Sequence, residues 1–246
     1  YYLFLMQAYI ELNDSLNAWN TQETAQKHHP ELLEIRHQGI KIALSLGLVQ
    51  AAATHLDAFV KHSSAKPLDF LRAAEQFRKI GALEEASLFL QAGRFKIYDE
   101  DLWKAAAVVA LELERWSEAA EILQVLTLNN SAYAIETAEA YRRSHQLDRA
   151  LLHNGYAPAS AEKAKQRFGI LLEQEAFAQA VALTPRLTYW ELTQDDAVRY
   201  GLAYAYFQLK NYTEAMHYLK GITNVDIFQR AVALRKTIEI SMSEEL

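Results

Sequence analysis

The chain of 246 residues repeats itself, and this repetition limits its fold more than any other property. The repeated pattern centres on an alanine. A large or turn-forming residue stands three positions before this alanine, and apolar residues stand nine and twelve positions before it. The steps between these alanines are 33, 35, 33, 31, 30 and 35 residues, and the series is Ala18, Ala51, Ala86, Ala119, Ala150, Ala180 and Ala215. A period near 34 residues is that of a helix-turn-helix repeat, so the sequence predicts about seven helical hairpins.

The pattern has a packing explanation. A small residue on each helix lets two antiparallel helices approach closely, and large residues beside it fill the remaining space. A single hairpin cannot bury its apolar face, whereas a stack of hairpins buries a continuous core. The chain also has only 8 Gly and 4 Pro, too few turn-forming residues for an all-β sandwich.

The fold class predicted from this pattern is all-α, a right-handed α-solenoid that forms a single domain over residues 1–246. The repeats are expected near 1–31, 32–66, 67–99, 100–130, 131–160, 161–195 and 196–225, followed by a closing helix at 226–241.

The clearest copies resemble the tetratricopeptide repeat (TPR) family. In the last repeat the family's positions hold Leu202, Ala203, Tyr206, Tyr212, Ala215, Leu219 and Ile222. In the third repeat they hold Ala74, Phe77, Gly81, Leu83, Ala86, Leu90 and Gly93. The resemblance covers nearly the whole chain and implies a divergent, bacterial-type TPR array. Because the chain starts without Met and already within a helical pattern, we expect it to be a fragment of a longer protein.

Two stretches depart from the repeat pattern. The second repeat shows no clear turn between its helices. In the fifth repeat, Gly155 and Pro158 fall where the second helix should end, which predicts a shortened helix there.

Catalytic and metal-binding patterns are missing from the sequence. It has no cysteine, no Gly-x-Ser-x-Gly elbow, no glycine-rich phosphate loop and no His-Glu-x-x-His among its 8 histidines. Acidic residues such as Asp99 and Asp195 fall at predicted helix starts, where carboxylates stabilise the helix N-terminus. We therefore expect no enzyme activity, no catalytic residues, no metal and no cofactor.

The charge pattern and the hydropathy pattern exclude two further classes of partner. The formal net charge is −6 and no long basic run occurs, which argues against a nucleic-acid partner. No apolar run approaches the roughly 20 residues that span a bilayer, so we expect no membrane insertion of this segment.

The resemblance implies that the first helices of successive hairpins line a concave groove to which peptides bind. Two basic pairs are candidates for this surface: Arg78 with Lys79, and Arg142 with Arg143. Such pairs suit carboxylates. The alternative is that Glu75 and Glu139, three and four positions before these pairs, form ion pairs with them along the same helix.

A second candidate surface is aromatic. Tyr200, Tyr204 and Phe207 stand at helical spacing, either as an anchor for a partner or as a surface that the closing helix covers. The family's clamp for chaperone tails, a Lys-x-x-x-Asn pair, is not found, since the corresponding positions hold Arg36 with Ile40 and Lys104 with Val108.

These observations predict a non-enzymatic protein–protein interaction scaffold that binds a partner protein or peptide on the concave groove. Homo-oligomers through the terminal repeats are also expected. Two alternatives remain open: the periplasmic TPR portion of a bacterial envelope or exopolysaccharide-export assembly, and a helical-repeat sensor domain of a regulator. The sequence does not determine the compartment: bacterial cytoplasm and periplasm both stay open, with a slight preference for the cell envelope.

Overall fold

Helices make up the regular structure of residues 1–61 and 65–244, the part of the chain that the computed structural model describes. The predicted all-α class is confirmed. Two compact units are formed, residues 1–126 and 127–246. The single domain over all 246 residues stays a prediction.

The first unit consists of helical hairpins in which odd-numbered helices come first. Its helices α1 to α8 span Tyr2–Glu11, Ser15–His28, Leu33–Ser45, Val49–Val60, Pro67–Lys79, Leu83–Lys96, Glu100–Glu112 and Trp116–Asn129. Within hairpins α1 packs on α2, α3 on α4 and α5 on α6. Successive first helices also pack together, α1 with α3, α3 with α5 and α5 with α7. A buried aromatic group of Phe59, Phe70 and Phe89, with ring centroids 5.1–5.9 Å apart, fills part of this core.

The second unit continues the hairpin pattern with one irregular repeat. Its helices α9 to α16 span Ala134–Arg143, Leu147–Tyr156, Ala161–Glu173, Phe177–Ala182, Thr184–Tyr189, Asp196–Gln208, Tyr212–Leu219 and Val225–Glu244. Short 3₁₀ helices lie at Ser131–Tyr133 and Leu192–Gln194. The helix α10 ends at Tyr156, in agreement with the predicted shortening before Pro158. The predicted closing helix is α16, which packs on α14 and α15.

The irregular repeat is the sixth, a departure that the sequence pattern did not reveal. Its second helix, α12, has 6 residues and is followed at once by α13, another helix of 6 residues that carries Pro185. The chain then turns through Glu191, whose φ is 56°. This extra helix distinguishes the sixth hairpin from its neighbours.

The turn within each hairpin has one geometry. The residue two positions before each second helix adopts a left-handed conformation, with φ between 55° and 76° at Asn13, Gly47, Gly81, Glu114, His145, Glu175 and Lys210. The following residue donates its N–H to a carbonyl five residues back, at 2.8–2.9 Å in every turn. This is the Schellman ending of a helix, which satisfies carbonyl groups that the helix leaves free.

The structure corrects the register of the second repeat by one residue. Ala52, not Ala51, is the fully buried alanine, and Leu48, expected in the turn contact, is 44% exposed. With Ala52 in the series, residues 18, 52 and 86 are each 34 apart. The same shift makes Ile40, which the TPR resemblance assigns to a clamp position in the groove, a core residue with 0% exposure. That assignment of Ile40 was therefore wrong.

Candidate functional site

The candidate surface in each unit is built on the first helices, next to core residues of that unit. These core residues lie twelve positions before the buried alanine of each hairpin and are 0–3% exposed: Met6, Ile40, Ala74, Ala107, Ala138, Phe168 and Ala203. We call the neighbouring surface of each unit its first-helix face. In the first unit it consists of Glu75, Arg78, Lys79, Val108 and Glu112, and in the second unit of Glu139, Arg142, Arg143, Glu173 and Tyr204.

Arg78 on α5 forms ion pairs with two carboxylates. Its Nη1 lies 3.0 Å from Glu75 on the same helix. Its Nε and Nη2 donate to the two carboxylate oxygens of Glu112 on α7, at 3.0 and 2.5 Å. The hydrogen bond from Arg78 lowers the pKa of Glu112, and the same contact raises the pKa of Arg78. This bidentate geometry is the strong form of an arginine–carboxylate pair.

Arg142 on α9 likewise binds one acid on its own helix and one on the next first helix, but here the bidentate partner is the acid on its own helix. Its Nε and Nη2 donate to Glu139 on the same helix, at 2.8 and 2.7 Å. Its Nη1 donates to Glu173 on α11. Glu139 also accepts from Nε of Arg143, at 3.0 Å. Hydrogen bonds from Arg142, and then from Arg143, hold the pKa of Glu139 below its usual range despite partial burial.

The two arrangements occupy equivalent positions of their hairpins. Arg78 and Arg142 each lie four residues after the buried alanine of their first helix, Ala74 or Ala138. Their inter-hairpin partners Glu112 and Glu173 lie five residues after the corresponding core residue of the next hairpin. In the second unit the ion pairs join two acids and two bases, whereas in the first unit Arg78 alone pairs with two acids. The sequence reading identified the basic residues and the same-helix pairs, but missed Glu112 and Glu173 as partners.

A further ion pair on this side of the second unit involves Lys165 on α11, whose Nζ lies 2.6 Å from Asp195. Asp195 is also the cap of α14 and accepts from the N–H groups of Ala197 and Val198. Burial alone would raise the pKa of Asp195, but these hydrogen bonds together lower it. Asp99 caps α7 in the same way by accepting from Leu102 N. The capping roles predicted for both acids are confirmed.

The three aromatic candidates have different environments. Tyr200 and Phe207 are half-buried and pack against a core cluster that includes Ile238 of the closing helix. Tyr204 is 37% exposed, and its ring meets that of Phe177 edge to face at 5.7 Å. Of the three, Tyr204 alone is exposed.

Lys79 is the most available cation of the first-helix face. It is exposed, and no ion pair involves it within the described part of the chain. The other three candidate bases, Arg78, Arg142 and Arg143, each have a carboxylate partner. The structure thus brings the candidates onto helix faces that are already ordered by ion pairs.

The described residues were also compared with the requirements of a metal site and of a membrane-spanning helix. Within residues 1–61 and 65–244, no group of three or more His, Cys, Asp or Glu side chains is placed to hold a metal ion. Over the same residues, none of the helices is both long and apolar enough to cross a membrane.

Solved structures with the same fold identify its type. No family model matches the sequence, and no curated protein matches it either. The C-terminal part of a TPR repeat-containing protein from Cytophaga hutchinsonii is 13% identical, with a TM-score of 0.51 over 94% of this chain and 98% of that one. A chain from the structure of Naa15/Naa10 bound to HypK-THB is 11% identical, with a TM-score of 0.64 over 95% of this chain. This chain spans 38% of the length of that chain.

The fold is therefore that of a TPR-type array, as the residue pattern predicted. Identities of 11% and 13% carry no information about function, because fold and function separate readily at such distances.

Proposed function

We propose that the chain is a non-enzymatic scaffold that binds a partner protein or peptide on its first-helix face. The observation that carries this proposal is the pair of inter-hairpin contacts, Arg78 with Glu112 and Arg142 with Glu173. Each fixes long side chains of two consecutive first helices relative to one another. Side chains ordered before binding lose less conformational entropy when a partner arrives.

The fold supports a role in binding rather than in chemistry. A TPR-type array presents a row of helices whose outward side chains vary while the core is kept. The Naa15/Naa10 structure with HypK-THB is a complex, so a similar fold occurs there in an assembly. Among the described residues no group of His, Cys, Asp or Glu side chains is placed to hold a metal ion, and binding is the function that the first-helix face suits.

The proposed contact residues have unequal parts. Lys79 and Tyr204 are exposed and contribute directly, one through charge and one through an aromatic ring. Arg78, Arg142 and Arg143 contribute by ordering the face through their ion pairs. Tyr200 and Phe207 are half-buried against the core cluster that includes Ile238 and contribute less contact area than Tyr204.

A selection of displayed random peptides on the immobilised chain tests the proposal. Selected peptides are synthesised, and their affinities are measured by fluorescence anisotropy for the native chain and for Lys79→Ala and Tyr204→Ala. We expect at least one of the two changes to weaken each peptide about fivefold or more, since contact residues of this kind carry 1 kcal/mol or more. The matched control is Lys236→Ala, an exposed lysine on α16 outside the face.

Two results contradict the proposal. One is a selection that enriches no peptide above an empty surface. The other is a set of peptides whose affinities change equally in Lys79→Ala, Tyr204→Ala and the control. The envelope and sensor roles that the TPR resemblance also implies stay predictions.

A further inference from the structure

A pocket in the second unit lies where the sixth hairpin departs from the repeat pattern. Its volume is about 610 Å³, and its walls come from the start of α11 and from the extra helix α13. The walls include Ser160, Lys163, Pro185, Arg186, Tyr189 and Trp190. A volume of this size lies within the usual range for small ligands and short peptide segments.

One side of the pocket is aromatic and open to solvent. The rings of Tyr189 and Trp190 meet edge to face, with centroids 5.0 Å apart and planes at 84°. Tyr189 is 76% exposed, and Trp190 is half-buried. An exposed ring held edge to face by a partly buried one offers apolar surface at small entropic cost, which is the character of an interface anchor.

The other side of the pocket is cationic. Lys163 is fixed by two hydrogen bonds from its Nζ, to the carbonyls of Gly155 at 2.9 Å and Ala157 at 2.5 Å. Burial lowers the pKa of Lys163, and the positive charges of Arg186 and Arg167 lower it further. Across residues 65–244 no ion pair joins Lys163 or Arg186 to an acid. This differs from the first-helix face, where each arginine has a carboxylate partner.

An uncompensated pair of cations beside an apolar ring selects one kind of ligand. Within a chain of net charge −6, such a group creates a local positive potential that attracts carboxylates. The guanidinium of Arg186 can bind a carboxylate with two parallel hydrogen bonds. The neighbouring aromatic surface favours a large apolar side chain next to that carboxylate.

We infer that the pocket of Lys163, Arg186, Tyr189 and Trp190 binds an acidic segment of a partner protein, a carboxylate followed or preceded by an aromatic residue. This inference rests on the proposed scaffold function and assigns it a second contact site, apart from the first-helix face. Arg186 supplies the bidentate contact, Lys163 supplies fixed charge, and Tyr189 with Trp190 receives the apolar side chain.

The test uses the indole N–H of Trp190 as a reporter in ¹H–¹⁵N spectra of the full chain. The chain has 4 tryptophans, and the Trp190 signal is identified with Trp190→Phe. Three blocked tetrapeptides of equal size are titrated: Asp-Glu-Phe-Asp, its amide analogue Asn-Gln-Phe-Asn, and Lys-Lys-Phe-Lys. Inorganic phosphate and sodium acetate are titrated separately at matched ionic strength.

We expect a saturable shift of the Trp190 signal with the acidic peptide, while the signals of Trp19 and Trp103 stay in place. The amide peptide should bind at least about fivefold more weakly, and the basic peptide should cause no shift. Arg186→Ala should weaken the acidic peptide by about fivefold or more, and Arg186→Lys by less, since lysine keeps the charge without the fork. The matched control is Arg230→Ala, an exposed arginine on α16, and unchanged circular dichroism shows that each variant is folded.

The inference is overturned if the acidic peptide leaves Trp190 unmoved, if all three peptides act alike, or if phosphate or acetate alone reproduces the shift at equal concentration. These outcomes leave the scaffold function standing whenever the displayed-peptide selection yields ligands sensitive to Lys79→Ala or Tyr204→Ala. If that selection fails while the acidic peptide shifts the Trp190 signal, the first-helix face is rejected as a binding site and the pocket is supported.

Discussion

Arg142 on α9 and Glu173 on α11 form an ion pair between the first helices of two successive hairpins, 31 residues apart in sequence. Arg78 and Glu112 join another two hairpins at equivalent positions, 34 residues apart, with two hydrogen bonds from Nε and Nη2 where Arg142 uses Nη1 alone. Both arginines also bind an acid on their own helix. The sequence left two alternatives open for these arginines: free for a partner, or paired with an acid on the same helix. The structure shows a third arrangement, in which each arginine pairs with an acid on its own helix and with one on the next hairpin.

The contribution of the inter-hairpin pair is measurable by a double-mutant cycle. We expect Arg142→Ala and Glu173→Ala to show a coupling free energy of about 0.5–1 kcal/mol in urea unfolding at low salt, falling in 1 M NaCl. The control cycle is Asp57 with Lys61, a pair 2.5 Å apart along α4 and just beyond it, with side chains 65% and 74% exposed. It should give about 0.3 kcal/mol or less. Equal coupling in the two cycles would show that linking two helices adds nothing.

Stability should fall in acid through Glu139. Hydrogen bonds from Arg142 hold its pKa below the ordinary 4.5, so the unfolded chain binds a proton on this carboxyl more readily than the folded chain does. The stabilising contribution is complete above about pH 4.5 and is lost as the pH falls through the lowered pKa.

Urea unfolding midpoints between pH 7 and pH 3 check this expectation. In Glu139→Gln the decline below pH 4.5 should be shallower than in the native chain. The control is Glu136→Gln, a change of an exposed glutamate in the first turn of the same helix for which no ion pair was found among the described residues. Identical slopes for the native chain and Glu139→Gln would contradict the argument.

The corrected register of the second hairpin predicts that two adjacent alanines differ in their tolerance of a larger side chain. Ala52 is fully buried, so Ala52→Leu overfills the contact between helices and should lower the free energy of unfolding by about 1–3 kcal/mol. Ala51 is only half-buried, so Ala51→Leu should change the free energy of unfolding by less than about 0.5 kcal/mol. Thermal or urea unfolding of both variants decides the register, and a larger loss for Ala51→Leu would restore the original one.

Two helical glycines form another matched pair. A Cβ added at Gly93 would lie 2.9 Å from Cγ of Phe70, whose ring is buried against Phe59 and Phe89. Gly93→Ala should therefore lower the free energy of unfolding by about 1–3 kcal/mol.

Gly169, inside α11, has nothing within 4 Å of such an atom. Gly169→Ala should raise the free energy of unfolding by about 0.5–1 kcal/mol, because alanine favours helix. Both changes are measured by urea unfolding. Stabilisation by Gly93→Ala would mean that Phe70 moves aside at little cost.

Much of the fold follows from the sequence, because a repeated packing requirement leaves a repeated pattern. The alanine period placed six of seven hairpins in the correct register. The second failed because three alanines stand together at 51–53 and the period alone cannot choose between neighbours. Gly47 lies two residues before α4, just as Gly81 lies two residues before α6. This glycine was the signal that would have fixed the register of the second hairpin.

The candidate site was less accessible from sequence. Same-helix pairs such as Glu139 with Arg142 follow from helical spacing. The partners Glu112 and Glu173 depend on how hairpins pack on each other, which spacing within one helix does not report. The pocket beside α13 was missed as well, although Pro185, one of only 4 prolines, stands in the first turn of the extra helix and was the signal that could have shown it.

The seven left-handed turns have a consequence for recognising this fold. Only Gly47 and Gly81 among them carry the residue that such a conformation favours, while the other five hold Asn, Glu, His or Lys. The same main-chain hydrogen bond accompanies each turn whichever residue stands there. The path of the main chain therefore identifies these turns more directly than the residue type does.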